Sequence, residues 1–273
     1  MDDAAPALAT APEALEYEVD GLLSLAAEGT LDTADPARLL ATAPYALGQA
    51  LSRLEVDEVR TLLRLIPLDA AAEAVAEMDN EAAAELVGAM REARAIRLLE
   101  ELDADDRADI IGEMAAAGRE RLLLRFDPET AAQIRELIAY APESAGGIMN
   151  PDVCTVGPDM TVKEAVKAIR HLGSEIEYIP YVYVTDERER LLGVVSMRSL
   201  VFAEPKQVIR AIMEAELNGV CEVHLDQEEV AHRMAEVNLH SLPVVDGEGR
   251  LLGIVTHDDV IDVIRREIGR AHV

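Results

Sequence analysis

The feature that most constrains the fold is a period of twelve residues that extends from Ala43 to Ile138. The twelfth position of each of the eight units is apolar, and so is the ninth in all but the last unit, where Arg135 stands. Apolar side chains three or four positions apart form one stripe along a short helix. Because helices of about two turns are marginal alone, each must pack against its neighbours. The period therefore predicts an all-α superhelical repeat domain over residues 43–139.

Acidic residues occupy informative positions in this array. Asp79, Asp103 and Asp127 each begin a unit, where a carboxylate can cap a helix N-terminus. Asp105 and Asp109 are four residues apart and share a helix face. Two interpretations of that pair stay open from the residues alone: acids that interact favourably with the helix dipole, or ligands for a divalent cation.

The second half of the chain contains a strand–helix–strand–strand–helix pattern that occurs twice. Its clearest marker is LLGVVSMRSL (Leu191 to Leu200), which returns as LLGIVTHDDV (Leu251 to Val260). Each copy is too small to fold comfortably alone, so we expect the two to pack sheet to sheet as one α/β domain. The predicted class is an α+β multidomain protein. Its predicted parts are an N-terminal segment that is partly helical or disordered (1–42), the superhelix (43–139), the first copy (140–205), and the second copy with a C-terminal helix (206–273).

The net charge of −28, from 53 acidic and 25 basic residues, limits the partners that the chain can have. Such a chain repels nucleic acid and anionic lipid and attracts cations. Composition leaves two explanations open. One is a solvated acidic surface, which a host with a salty cytoplasm would favour, and the other is a set of carboxylates that bind a divalent metal.

Nothing in the sequence indicates a secreted protein, a membrane-spanning segment or an enzyme. No apolar run approaches the roughly 20 residues of a membrane helix, and the acidic N-terminus lacks the basic segment of a secretory signal. We therefore expect a soluble, cytoplasmic chain. Cys154 and Cys221 occupy matching positions in the two copies and are expected inside the strands rather than at a zinc ion. None of the six histidines has a nucleophile or metal partner at a useful spacing.

The stretch SLPVVDGEGRLLGIVTHDD resembles a cystathionine-β-synthase (CBS) motif. Two CBS motifs in tandem form a Bateman α/β domain. The full order, a twelve-residue helical array followed by SAGGIM and two CBS motifs, is similar to the cytosolic part of the MgtE magnesium transporters and channels. The resemblance covers about residues 43 to 270.

This resemblance implies a Mg²⁺ sensor that is a homodimer through its CBS domains. High cytosolic Mg²⁺ would close the helical domain onto the CBS dimer and shut the membrane pore domain of a transporter, present in cis or in trans. Mg²⁺ is then the expected cofactor, and the chain would lie at the cytoplasmic face of the membrane. The implied metal ligands are Glu73, Asp105, Asp109, Asp226, Glu228, Asp259, Asp262 and Glu267.

An alternative function is a free-standing CBS sensor of adenine nucleotide, ATP or AMP, that regulates another protein. Two departures from the family pattern weaken ATP binding: Ser199 stands in place of a ribose-binding Asp, and Leu239 in place of an aromatic residue that stacks on the base. The chain also ends in RREIGRAHV with no pore after it, so either interpretation of its context stays open. The nucleotide-binding residues that the resemblance implies are Tyr181, Ser196, Arg198 and Thr256.

Overall fold

The structure is a computed structural model. The residues that it describes are 40, 43–172, 179, 181–217, 219–237, 239–261 and 263–264. They divide into two compact units, with the boundary after Ile134. The predicted N-terminal segment, apart from Leu40, and the predicted ligands Asp262 and Glu267 lie outside the described residues.

The first unit is built from short consecutive helices, and each begins one residue after the start of a twelve-residue unit. The predicted period is therefore confirmed, since the first residue of every unit is the N-cap and the next seven to eleven residues are helical. The helices are α1 (Pro44–Leu51), α2 (Val56–Leu62), α3 (Leu68–Ala76), α4 (Asn80–Ala89), α5 (Glu92–Glu100), α6 (Ala104–Glu113), α7 (Ala116–Leu123) and α8 (Pro128–Ile138).

Two of the three predicted N-cap side chains accept capping hydrogen bonds. The Asp79 carboxylate accepts from the Glu81 N–H at 3.1 Å. Asp127 Oδ1 accepts from two backbone N–H groups of α8 at 3.0 Å each, and hydrogen bonds from Thr130 hold the pKa of Asp127 below its usual value. Asp103 occupies the N-cap position of α6, but its side chain makes no capping bond.

One broad apolar stripe on each helix forms the core of this unit, as predicted. The ninth position of each unit is buried through Leu123, whereas Arg135 is exposed, as the pattern indicated. The eighth position is buried in every unit as well, from Ala50 to Ile134. Helices contact the helix two places along the chain, with α1 against α3 and α4 against α6. The eighth and ninth positions lie four and three residues before the twelfth, so all three share one helix face, and the eighth position widens the predicted stripe.

The second unit contains the predicted pattern twice, with the same topology in each copy. In each three-stranded sheet the first strand pairs parallel to the second, and the second pairs antiparallel to the third. Both copies end in a helix that begins directly after the third strand, α10 in the first and residues 257–261 in the second. The elements are β1 (Thr155–Val156), α9 (Val162–Leu172), β2 (Tyr181–Thr185), β3 (Leu191–Ser196), α10 (Met197–Phe202), β4 (Cys221–Glu222), α11 (Gln227–Val237), β5 (Ser241–Val245) and β6 (Leu251–Thr256).

The two copies exchange edge segments, which the sequence analysis did not foresee. Asn150, which lies before β1 in the first copy, forms two backbone hydrogen bonds with Ile254 of β6, at 2.8 and 2.9 Å. Glu214, which lies before β4 in the second copy, does the same with Val194 of β3, at 2.9 and 3.0 Å. A Cβ on Gly253 would lie 2.7 Å from the Asn150 carbonyl oxygen, and one on the equivalent glycine of β3 would lie equally close to Glu214. The glycine in each copy of LLG is therefore explained by the close passage of the exchanged segment.

Side chains between the two sheets join them into one core. The Tyr183 hydroxyl lies 3.0 Å from the Ser241 hydroxyl, and both residues are buried. Burial raises the pKa of Tyr183 well above its ordinary value. Cys154 and Cys221 are free and buried, as expected, and desolvation raises the pKa of both thiols, to about 11 for Cys221. Among the helices described, none has the length and apolar character needed to cross a membrane.

Candidate functional site

The predicted metal ligands of the first unit lie on two helices. Glu73 is exposed on α3. Asp105 and Asp109 lie one turn apart on α6, the first half-buried and the second exposed. The Asn80 side-chain amide donates to Asp109 Oδ2 at 3.1 Å, which fixes the orientation of that carboxylate.

The predicted ligands of the second CBS motif also stabilise helix starts. Asp226 precedes α11, and its Oδ1 accepts from the N–H of Glu228 at 2.9 Å. Asp259 lies in the first turn of the next helix, where its Oδ2 accepts from the N–H of Thr256 at 2.8 Å and from the hydroxyl of Thr256. Capping supplies a structural reason for these acids that the sequence analysis missed.

The first motif caps the same helix without a carboxylate. Ser196 Oγ accepts from the Ser199 N–H at 3.0 Å, and the two hydroxyls lie 2.8 Å apart. The cap of this helix is therefore the Ser196 hydroxyl, and Ser199, at the position of Asp259, supplies no negative charge.

The donor chemistry of these acids fits a hydrated Mg²⁺ ion. Mg²⁺ prefers oxygen ligands and keeps several waters, so one or two carboxylates suffice to hold it. Glu73, Asp109, Asp226 and Glu228 are exposed and accessible to such an ion. Within the described part of the chain, no group of three or more His, Cys, Asp or Glu residues is placed to enclose a metal directly.

A cavity of about 200 Å³ lies between the two CBS sheets. Tyr181 and Ser196 line it, and so does Leu239, which stands at the expected base-stacking position. Glu214 and Glu216 also line it, whereas its described lining residues include no Arg or Lys. The cavity is therefore suited to a small uncharged ring, and its carboxylates disfavour phosphate groups.

The other two predicted nucleotide-binding residues lie elsewhere. Arg198 is exposed, with its guanidinium carbon 6.0 Å from the centre of the Phe202 ring. Thr256 donates its hydroxyl to Asp259. Neither residue lines the cavity between the sheets.

Comparison with known proteins assigns both units. Residues 42–143 match the model of the MgtE intracellular N domain, and residues 145–206 and 209–266 match that of the CBS domain. A solved structure of the cytosolic domain of the Mg²⁺ channel MgtE in complex with ATP is 36% identical, with a TM-score of 0.81, and the match covers 91% of this chain and 99% of that one. The chain belongs to the MgtE family.

Two further relatives, one by sequence and one by fold, are magnesium transporters. The magnesium transporter MgtE of Thermus thermophilus is 44% identical over 140 residues, which are 51% of this chain and 31% of that protein. The crystal structure of the soluble part of a magnesium transporter has a TM-score of 0.77 at 29% identity, covering 93% of this chain and 99% of that one. The chain spans less than a third of the length of the curated MgtE proteins that it matches.

Proposed function

We propose that this chain is a magnesium-sensing cytosolic module that gates an MgtE-type Mg²⁺ transporter or channel. The observation that carries the proposal is that each unit presents exposed carboxylates at the positions that the family resemblance assigns to metal. They are Glu73 and Asp109 in the helical unit, and Asp226 and Glu228 in the CBS unit. The magnesium transporters named among the relatives supply the context.

The proposed mechanism is electrostatic. Two carboxylates about 4 Å apart repel by about 1 to 4 kcal/mol, depending on the local dielectric constant. A hydrated Mg²⁺ ion between them replaces this repulsion with attraction. Several such pairs supply the roughly 5.5 kcal/mol that converts a mostly open two-state population into a mostly closed one. Closure of the helical domain onto a CBS homodimer would then shut a membrane pore at the cytoplasmic face.

Small-angle scattering during a Mg²⁺ titration at fixed ionic strength tests this proposal. We expect the radius of gyration and the rate of limited proteolysis to fall as Mg²⁺ is added, and Asp105→Asn/Asp109→Asn to shift the midpoint to higher Mg²⁺. Glu81→Gln/Glu85→Gln is the matched control, since it removes two acids with the same four-residue spacing from α4. A radius that does not change with Mg²⁺, or an equal shift in both double variants, refutes the proposal.

Nucleotide binding is a second candidate, supported by the cavity between the CBS sheets and by the relative solved with ATP. Tyr181 and Ser196 supply an aromatic face and a hydroxyl, whereas Glu214 and Glu216 oppose a phosphate chain. We therefore expect ATP to bind better with Mg²⁺ than without it. Isothermal titration of ATP and AMP into the wild type and Tyr181→Ala tests this, and equal heats for the two proteins would exclude the cavity as the site.

A further inference from the structure

Five arginines surround one cavity of the helical unit, in a chain with 53 acids and only 25 bases. The cavity has a volume of about 540 Å³. We name this set the arginine cavity. It lies wholly within the first unit and includes none of the residues considered above. Its arginines are Arg60, Arg64, Arg91, Arg94 and Arg97.

Two helices supply these side chains in register. Arg60 and Arg64 are four residues apart, at the C-terminal end of α2 and just beyond it. Arg91, Arg94 and Arg97 are three residues apart and follow one face of α5. Residues three or four apart are neighbours on a helix surface, so the arginines of each helix form one row. Both rows line the same cavity.

The acids nearby leave most of this charge uncompensated. Asp57 pairs with Arg60, at 2.7 Å between Oδ1 and Nη1. Glu92, next to Arg91 in sequence, instead forms two hydrogen bonds with Arg125 at 2.7 and 3.3 Å, which lower the pKa of Glu92. Within the described residues, Arg64, Arg91 and Arg97 form no ion pair with a carboxylate. The cavity therefore keeps a net positive charge within an acidic chain.

The site is also organised by hydrogen bonding and by the helix dipole. Arg94 Nη2 donates to the Leu63 carbonyl at 2.7 Å, which fixes the guanidinium and leaves its other N–H groups available. Arg91 is the N-cap of α5, and Ala93 of its first turn lines the cavity with no long side chain in the way. The positive end of the helix therefore adds to the arginine charge.

We propose that the arginine cavity binds a triphosphate group, carried either by a nucleotide or by an inorganic polyphosphate. The guanidinium fork matches phosphate oxygens in a bidentate manner. The volume lies within the range of small-ligand sites, about 300 to 1,000 Å³. The cavity between the CBS sheets has the opposite character, since carboxylates line it, so the two cavities favour ligands of different charge.

Isothermal titration of the full chain with inorganic tripolyphosphate, without Mg²⁺ and at fixed ionic strength, tests the proposal. Arg91→Gln/Arg97→Gln removes two cluster charges and keeps the Arg94 bond to Leu63. We expect the affinity to fall by about tenfold or more. The control Arg170→Gln/Arg188→Gln has the same change in net charge at two exposed positions of the other unit, and its affinity should match that of the wild type.

Two further titrations distinguish the sources. Both are carried out on the Tyr181→Ala variant, one with ATP and one with tripolyphosphate. If ATP binds and its affinity depends on Arg91 and Arg97, the ligand is a nucleotide. If tripolyphosphate binds and ATP does not, the ligand is a free polyphosphate. Either result supports the site. The proposal is overturned if tripolyphosphate does not bind, if both double variants bind it as the wild type does, or if a polyglutamate peptide binds as tightly with the same dependence on Arg91 and Arg97.

Discussion

Replacing Gly253 by alanine tests the edge exchange that joins the two CBS copies. A Cβ at this position would lie 2.7 Å from the Asn150 carbonyl oxygen and 3.1 Å from Cγ and Sδ of Met149. The backbone of Gly253 is in a region that alanine can adopt, since no positive φ is recorded there. The effect of the substitution therefore arises from the contact with the exchanged segment.

The magnitude follows from the bonds that hold this segment. Moving it away from β6 to relieve the contact breaks the two hydrogen bonds between Asn150 and Ile254. Each contributes about 1 kcal/mol net, so the loss is about 2 kcal/mol. For a unit of this size that corresponds to a fall in Tm of about 4 to 8 °C.

Thermal unfolding followed by circular dichroism measures the fall in Tm. Faster hydrogen exchange at the amides of Asn150 and Ile254 would show that their two hydrogen bonds are the ones weakened. Gly247→Ala is the matched control, because a Cβ there meets nothing within 4 Å. Its expected effect is a change of less than about 1 kcal/mol, in the stabilising direction. If Gly253→Ala unfolds at the same temperature as Gly247→Ala, the segment does not pack as described and the reasoning fails.

Three further predictions concern single side chains. Asp226→Ala should lower the free energy of unfolding by about 1 kcal/mol in urea, whereas Asp226→Asn should leave it nearly unchanged, because asparagine caps equally well. Tyr183→Phe leaves the Ser241 hydroxyl buried without its partner, and should cost about 1 kcal/mol in the same assay. Hydrogen bonds from the Arg250 backbone, first among several causes, hold the pKa of Asp246 below its ordinary 3.8. The ionised carboxylate therefore stabilises the fold above pH 3.8, and this contribution is lost as the pH falls through the pKa of Asp246 in the folded state. In urea unfolding, the difference in the free energy of unfolding between the wild type and Asp246→Ala should shrink in acid.

The helical unit was largely predictable because its period repeats without interruption. The apolar stripe predicted a short helix in each of the eight units, and acidic capping positions marked the start of three of them. The eighth position lies four residues before the twelfth and belongs to the same stripe, although the prediction rested on the ninth and twelfth positions. Its burial from Ala50 to Ile134 shows the full width of the stripe once each helix packs against others in the array.

The exchange between the CBS copies could not be predicted from local pattern. Asn150 and Ile254 are about a hundred residues apart, and no periodicity relates them. The one signal is the glycine within each LLG, which marks a close approach without identifying the segment that approaches. The arginine cavity was missed for a similar reason, since its two rows come together only after α2 and α5 pack.

The four predicted nucleotide-binding residues have different surroundings in the structure. Tyr181 and Ser196 line the cavity between the sheets because each lies on a strand that faces it, at paired positions of β2 and β3. Thr256 occupies the position equivalent to Ser196, but the structure commits its hydroxyl to Asp259. Arg198 lies within the next helix, whose exposed face carries it beside Phe202.

The different charges of the two CBS copies concern both stability and ligand. Each copy must cap the helix that follows its third strand, and either a serine or an aspartate does this. Asp259 thus has a reason to be acidic that involves no ion. A capping bond occupies one of the several lone pairs of a carboxylate, so capping and binding of a hydrated cation are compatible. Asp226→Asn separates the two roles, because it keeps the cap and removes the charge. A weakened Mg²⁺ response in a fully stable Asp226→Asn variant would assign that charge to the ion.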